Sequence, residues 1–186
     1  TLDPHKGLFM PYGTGALLVR DGAALRAVHG MSAGYLPATP DPDTFYDPGQ
    51  YGPELSRGFP GLRVWMCLKA FGAARFRAAL AEKRALAVQA AERIAALPGI
   101  VMIAPPQLSL FAFHATRPGA SRDEENRATA DLVERVTGRG RVMLTGCTVD
   151  GRFLARVCVL SFRTRQAQID ACVEDLAGEL PRVWNG

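Results

Sequence analysis

The sequence predicts an α/β chain, and three observations carry that expectation. Short apolar runs bounded by glycine and polar residues, at Gly15–Val19 and Leu108–Phe113, read as strands. A long alanine-rich stretch, Ala74–Leu97, places Phe76, Leu80, Ala87, Ala90, Ala91, Ile94 and Leu97 on one side of a helix, with arginines and glutamates on the other. Arg141–Thr148 and Phe153–Leu160 are strand patterns joined through Asp150-Gly151, a tight-hairpin signal.

The remaining elements follow in chain order. After Gly15–Val19, Ala23–Val28 reads as a short helix. Met31–Glu54 has no helical or strand period but contains five prolines and the aromatic set Tyr35, Phe45, Tyr46 and Tyr51. A loop of this length inside a domain is read either as an active-site lid or as an aromatic surface packed on a neighbouring subunit. Leu62–Phe71 is apolar nearly all round and reads as a buried helix that Gly72 ends. Pro98-Gly99 stops the long helix, which looks like a bridge between a part spanning 1–97 and a small α+β part spanning 98–186. In the latter, Ser121-Arg-Asp-Glu124 is a capping box opening a helix to about Val136. Ile169, Cys172, Val173, Leu176 and Leu180 recur at helical spacing and predict a final amphipathic helix on the sheet.

Composition excludes several classes of function. The 186 residues are 48% hydrophobic and 22% charged, with no apolar run approaching the roughly 18 residues of a membrane span. The net charge of +4 is dispersed, so no basic patch predicts nucleic-acid binding. Four scattered cysteines (Cys67, Cys147, Cys158, Cys172) and three histidines lack metal-ligand spacing, and buried thiols in a reducing compartment fit them better than a metal site. His29, His114 and the cysteines are read as structural.

The chemistry is expected in the first fifteen residues, T-L-D-P-H-K-G-L-F-M-P-Y-G-T-G. Lys6 follows an Asp-Pro turn signal and precedes an apolar run, and the chain has only two other lysines, Lys69 and Lys83, using arginine for its other basic residues. Arginine stays protonated and cannot form an imine, whereas a lysine amine can lose its proton and attack carbon. Lys6 is therefore the candidate for covalent chemistry, against the plainer reading of a loop lysine.

The motif D-P-H-K, then Tyr35, then S-R-G-F-P-G-L-R-V-W-M-C-L-K-A-F-G from Ser56 to Gly72 resembles the pyridoxal-phosphate-dependent group II amino-acid decarboxylases, which include the aromatic-amino-acid and glutamate decarboxylases. The resemblance runs through essentially the whole chain but matches the C-terminal part of such an enzyme. It implies a fold-type-I transferase-like architecture, in which 1–97 belong to the cofactor-binding large domain and 98–186 form the small C-terminal domain. It also implies pyridoxal 5'-phosphate bound to Lys6 as a lysine aldimine, with His5 and Asp3 near the cofactor phosphate. Asparagine is usual at the first of these positions, so Asp3 departs from the pattern, and a carboxylate beside a phosphate is repulsive unless protonated or paired.

By the same resemblance Tyr35, on a mobile loop, reprotonates the substrate carbon, a role for which a phenol of reference pKa ~10 is suited. In relatives that make aldehydes oxidatively this residue is phenylalanine. The expected activity is that of a cytoplasmic lyase releasing carbon dioxide and an amine from an L-amino acid. A carbon–carbon lyase or aldehyde synthase on the same scaffold, or an inactive structural half, are the alternatives. The expected partners are the amino-acid substrate, an upstream half carrying most cofactor contacts, and a second copy in a homodimer; no nucleic acid or membrane is expected. Two weaker candidates stay open: Gly13-Thr14-Gly15 as a phosphate nest or a plain turn, and Arg57 as an anion binder or a structural ion pair.

Overall fold

Helix signals that lie within a few residues of one another are realised almost as written. The computed structural model describes residues 1–35 and 44–184. They form two compact units, Thr1–Phe71 and Gly72–Gly186.

In the first unit a single antiparallel bridge, Leu2 to Ala16, closes the N-terminal segment around α1 (Pro4–Gly7). Pro4 opens α1 at a position where its missing N–H costs nothing. Helix α2 (Gly22–His29) starts where the carboxylate of Asp21 accepts from the N–H groups of Ala23 and Ala24, satisfying two donors that the helix leaves free. A short 3₁₀ turn, Pro48–Gln50, is capped by Asp47 in the same way. The Gln50 side chain brackets Met31, accepting from its N–H and donating to its carbonyl, each at 3.2 Å. Helix α3 (Gly61–Phe71) completes the unit.

Two expectations fail here. Gly15–Val19 forms no strand: only Ala16 makes a bridge, and Leu17, Leu18 and Val19 are exposed. Helix α3 is not buried: none of its residues is, and Trp65, Met66 and Phe71 are more than half exposed. The physical reason is common to both. An apolar segment becomes a strand or a buried helix only when other elements cover it, and the described residues of this unit contain no sheet. The middle of the predicted loop, residues 36–43, lies outside the described residues.

The second unit is a four-stranded antiparallel sheet in the order β1-β2-β4-β3 with three helices. Its strands are β1 (Ile100–Met102), β2 (Leu110–Ala115), β3 (Thr145–Val149) and β4 (Arg152–Cys158). Helices α4 (Ala73–Ala95), α5 (Arg122–Gly138) and α6 (Gln166–Glu179) bury one stripe each. Alternation along β2 sends Phe111, Phe113 and Ala115 into a core completed by Ile94, Leu132, Val136 and Leu176. Among these, Phe113, Ile94, Leu132, Val136 and Leu176 are wholly buried, and each contributes about 1.5–3 kcal/mol relative to exposure. Helix α4 thus belongs to the second unit, since its Ala87, Ala90, Ala91 and Ile94 lie in that unit's core.

The β3–β4 register pairs Val149 with Arg152, and the turn residues Asp150 and Gly151 have φ of 49° and 74°. Two consecutive positive φ values suit glycine and aspartate, which is why Asp-Gly signals a hairpin. In β3, Gly146 leaves room for the Phe153 ring, because a Cβ there would lie 2.1 Å from Cζ.

Candidate active site

The Asp-Pro turn and α1 put Asp3, His5 and Lys6 on one tightly tied loop. Backbone bonds between Leu2 and Ala16 (2.9 and 2.8 Å) pin one end, and the Lys6 N–H donates to the Asp3 carbonyl at 2.9 Å. The Met10 N–H returns to the Pro4 carbonyl at 3.2 Å, and Met10 is buried beneath the turn.

His5 is oriented on two sides. Its Nδ1–H donates to the Thr14 carbonyl at 2.6 Å, while Tyr12 meets the imidazole edge-on with ring centroids 5.0 Å apart. Thr14 is itself buried and its hydroxyl donates to the Pro11 carbonyl. The backbone at Gly13-Thr14-Gly15 is therefore a turn that holds His5. Arg63 on α3 donates to the Tyr12 carbonyl at 2.9 Å and fixes the turn from outside.

Lys6 carries its amine in the open, 61% exposed, with Nζ 2.7 Å from Asp3 Oδ2. The hydrogen bond and the charge of Asp3 raise the Lys6 amine above the usual lysine range, and Lys6 in turn lowers the Asp3 carboxyl. The carboxylate expected beside a phosphate thus faces the lysine. The other two lysines are differently placed: Lys83 is buried and donates to the Thr164 carbonyl at 2.6 Å, and Lys69 lies over the Trp65 ring.

Tyr35 stands at an exposed turn, its ring 81% accessible, so it is not packed into the Lys6 loop. Arg57 donates to the Glu54 carbonyl at 2.6 Å and its guanidinium covers Gly52. Sequence reasoning missed Thr14, Tyr12 and Arg63 as supports of the site; the Arg63 contact spans 51 positions, and no local pattern signals it. Among the described residues no group of histidine, cysteine and acidic side chains could hold a metal. Among the same residues no helix is long and apolar enough to cross a membrane.

An open primary amine on a pinned turn, next to an oriented imidazole, fits a cofactor that presents an aldehyde. The pyridoxal-dependent decarboxylase conserved domain matches residues 1–116 of the chain. The chain belongs to the pyridoxal-dependent decarboxylase family. It is 33% identical to the aromatic-L-amino-acid decarboxylase of Bacillus atrophaeus over 97% of its own length, and spans 38% of that relative. The 4-hydroxyphenylacetaldehyde synthase of Rhodiola rosea is 24% identical over 62% of the chain and 24% of that protein.

Solved structures of this decarboxylase fold superpose well. Oryza sativa TDC with PLP and tryptamine matches 88% of this chain and 34% of that one, with a TM-score of 0.77 at 20% identity. Mouse CSAD matches 94% and 38%, with a TM-score of 0.75 at 23% identity. These likenesses place the chain in the fold-type-I α/β class expected from the sequence. The cofactor of the family is pyridoxal phosphate.

Proposed function

We propose that the protein containing this chain uses pyridoxal 5'-phosphate to decarboxylate an L-amino acid, giving the amine and carbon dioxide. The observation that carries this reading is the Lys6 amine, exposed on a turn whose backbone is pinned from both ends in a chain of the pyridoxal-dependent decarboxylase family. When bound, the cofactor supplies an electron sink for the carbanion left as carbon dioxide departs.

The chain's own residues orient and protonate. Lys6 bonds the cofactor through Nζ, and His5, held by Thr14 and Tyr12, presents its ring beside it. Asp3 lies at the same turn and reaches the cofactor through Lys6. Tyr35, on the aromatic loop, delivers a proton from its phenol to the substrate carbon. Residues 1–71 contribute to the cofactor domain, and α4, whose buried stripe lies in the second unit's core, goes with residues 98–186. The upstream half supplies the remaining cofactor contacts and the substrate pocket, and the exposed apolar face of α3 is covered in a cytoplasmic homodimer.

Aldehyde synthesis is the second reading, because aldehyde synthases stand among the relatives. The phenol at Tyr35 favours simple decarboxylation, since it offers the proton that ends the reaction at the amine. The test is borohydride reduction of the full-length protein followed by peptide mapping, with product analysis on aromatic amino acids. The pyridoxyl group is expected on Lys6 and the amine as product. A pyridoxyl group on Lys69 or Lys83, or none, rejects the assignment; aldehyde with hydrogen peroxide as the main product moves the protein to the second reading.

A further inference from the structure

Asp3 is the N-cap residue of α1, yet its side chain caps none of the helix N–H groups. Its Oδ2 turns instead to Lys6 Nζ at 2.7 Å, and its Oδ1 faces Gly15, where a Cβ would sit 3.9 Å away. The backbone on both sides is fixed, by the Leu2–Ala16 bridge before it and by the Lys6 N–H to Asp3 carbonyl bond after it. The pair is therefore set by the turn. The other titratable groups about it are His5, Tyr12 and the amino group of Thr1: an ionised Tyr12 favours the ammonium of Lys6, and positive charge on His5 and on the Thr1 amine favours the carboxylate of Asp3.

We propose that Asp3 is a positioning residue that parks the Lys6 amine as an ammonium, and so sets the pH above which the cofactor-free protein captures its aldehyde. The proposal rests on the reading that Lys6 carries the cofactor. An amine attacks an aldehyde only after losing a proton. Of the three ammonium protons one passes to solvent by way of the Asp3 carboxylate; nitrogen then bonds to the aldehyde carbon, and the carbonyl oxygen leaves as water with the other two. A neutral amide at position 3 still bonds to nitrogen but no longer favours the charged form. Because both partners are about half exposed, the effect is several-fold and no larger.

The experiment uses full-length protein stripped of cofactor. Trace acetylation with acetic anhydride, mapped by mass spectrometry across about pH 6 to 10.5, reads the ionisation of Lys6 without any turnover. In Asp3→Asn the Lys6 profile should move to lower pH, and labelling near neutral pH should rise roughly three- to tenfold. Asp3→Glu should restore most of the wild-type profile. Uptake of pyridoxal, which lacks the phosphate and so any repulsion from Asp3, should rise by the same factor and converge with wild type at high pH. In the unmutated protein, 1 M salt should shift the profile in the same direction as Asp3→Asn, by screening the pair. Superimposable profiles, or slower labelling in Asp3→Asn, overturn the proposal, and the salt arm decides if the variant does not fold. Failure of the wild-type protein to take up pyridoxal on Lys6 at any pH instead rejects the functional reading, while acetylation still reports the ion pair.

Discussion

The Nδ1–H of His5 donates to the carbonyl oxygen of Thr14 at 2.6 Å, so one ring nitrogen is committed to the backbone and the tautomer is set. Nε2 is left as the ring's remaining polar atom. If that atom serves the cofactor, His5→Ala should weaken pyridoxal phosphate binding by about 10–100-fold, the range for a hydrogen bond to a charged group. Pyridoxyl should still map to Lys6. Equal affinity in a fluorescence titration would confine His5 to holding the turn.

Tyr35→Phe should leave cofactor binding intact, since that needs no hydroxyl. Amine release should fall by a factor on the order of 10²–10⁴, as for loss of other general acids. Aldehyde should appear under oxygen. Unchanged amine turnover in a stopped assay would assign the proton to another group.

Glu125 lies under the β3–β4 hairpin, where Arg152 and the Thr116 hydroxyl bond to its carboxylate and His114 is 3.8 Å away. Burial alone pushes this carboxyl up, but the bonds from Thr116 and Arg152 outweigh it and hold it below the usual range. A depressed folded-state pKa gives stability that is present above the ordinary glutamate pKa and lost as pH falls through the folded value. Wild-type protein should therefore lose stability steadily below about pH 5. Glu125→Gln should be destabilised on the order of 2–3 kcal/mol at pH 7 and show a flatter acid limb in urea titrations. Parallel limbs in the two proteins would reject the assignment.

Ser121 accepts from the Glu124 N–H, and the Glu124 carboxylate accepts from the Ser121 N–H at 2.8 Å. Ser121→Ala should cost about 1 kcal/mol, read as a lower urea midpoint at unchanged slope. A change in slope would show instead that the denatured state had altered.

The Cys172 thiol is pushed up to about 11 by burial and by the charge of Asp175. At neutral pH almost none is thiolate, so iodoacetamide should modify exposed Cys158 long before Cys172. Comparable rates by peptide mapping would mean that the core around Cys172 opens readily.

What the sequence made legible was local. The capping box at Ser121–Glu124 and the Asp150-Gly151 hairpin each depend on residues within a few positions, and both stand as expected. Asp3, His5 and Lys6 share one turn, so their proximity was readable from the motif. Leu17–Val19 and α3 were misjudged because apolar composition says that a segment is covered, not by what, and the described residues of the first unit hold no sheet to cover them. Strand β1 was overlooked because three residues after Pro98-Gly99 give no period; only pairing with Phe113, His114 and Ala115 defines it. Likewise Thr14 and Arg63 earn their places through contacts that no spacing rule encodes.

The β3–β4 turn also bears on the order in which the second unit forms. Asn126 on α5 clasps it, donating to the Gly151 carbonyl and accepting from the Phe153 N–H at 2.8 Å. Zipping the hairpin itself closes only a minimal loop, whereas pairing β4 with β2 must close one of about forty residues and pay a larger entropy of closure. The hairpin with its α5 clasp is thus the natural nucleus, and β2 joins it late. Substitutions at Asp150 or Gly151 should slow refolding, whereas those at the β1 edge should mainly speed unfolding.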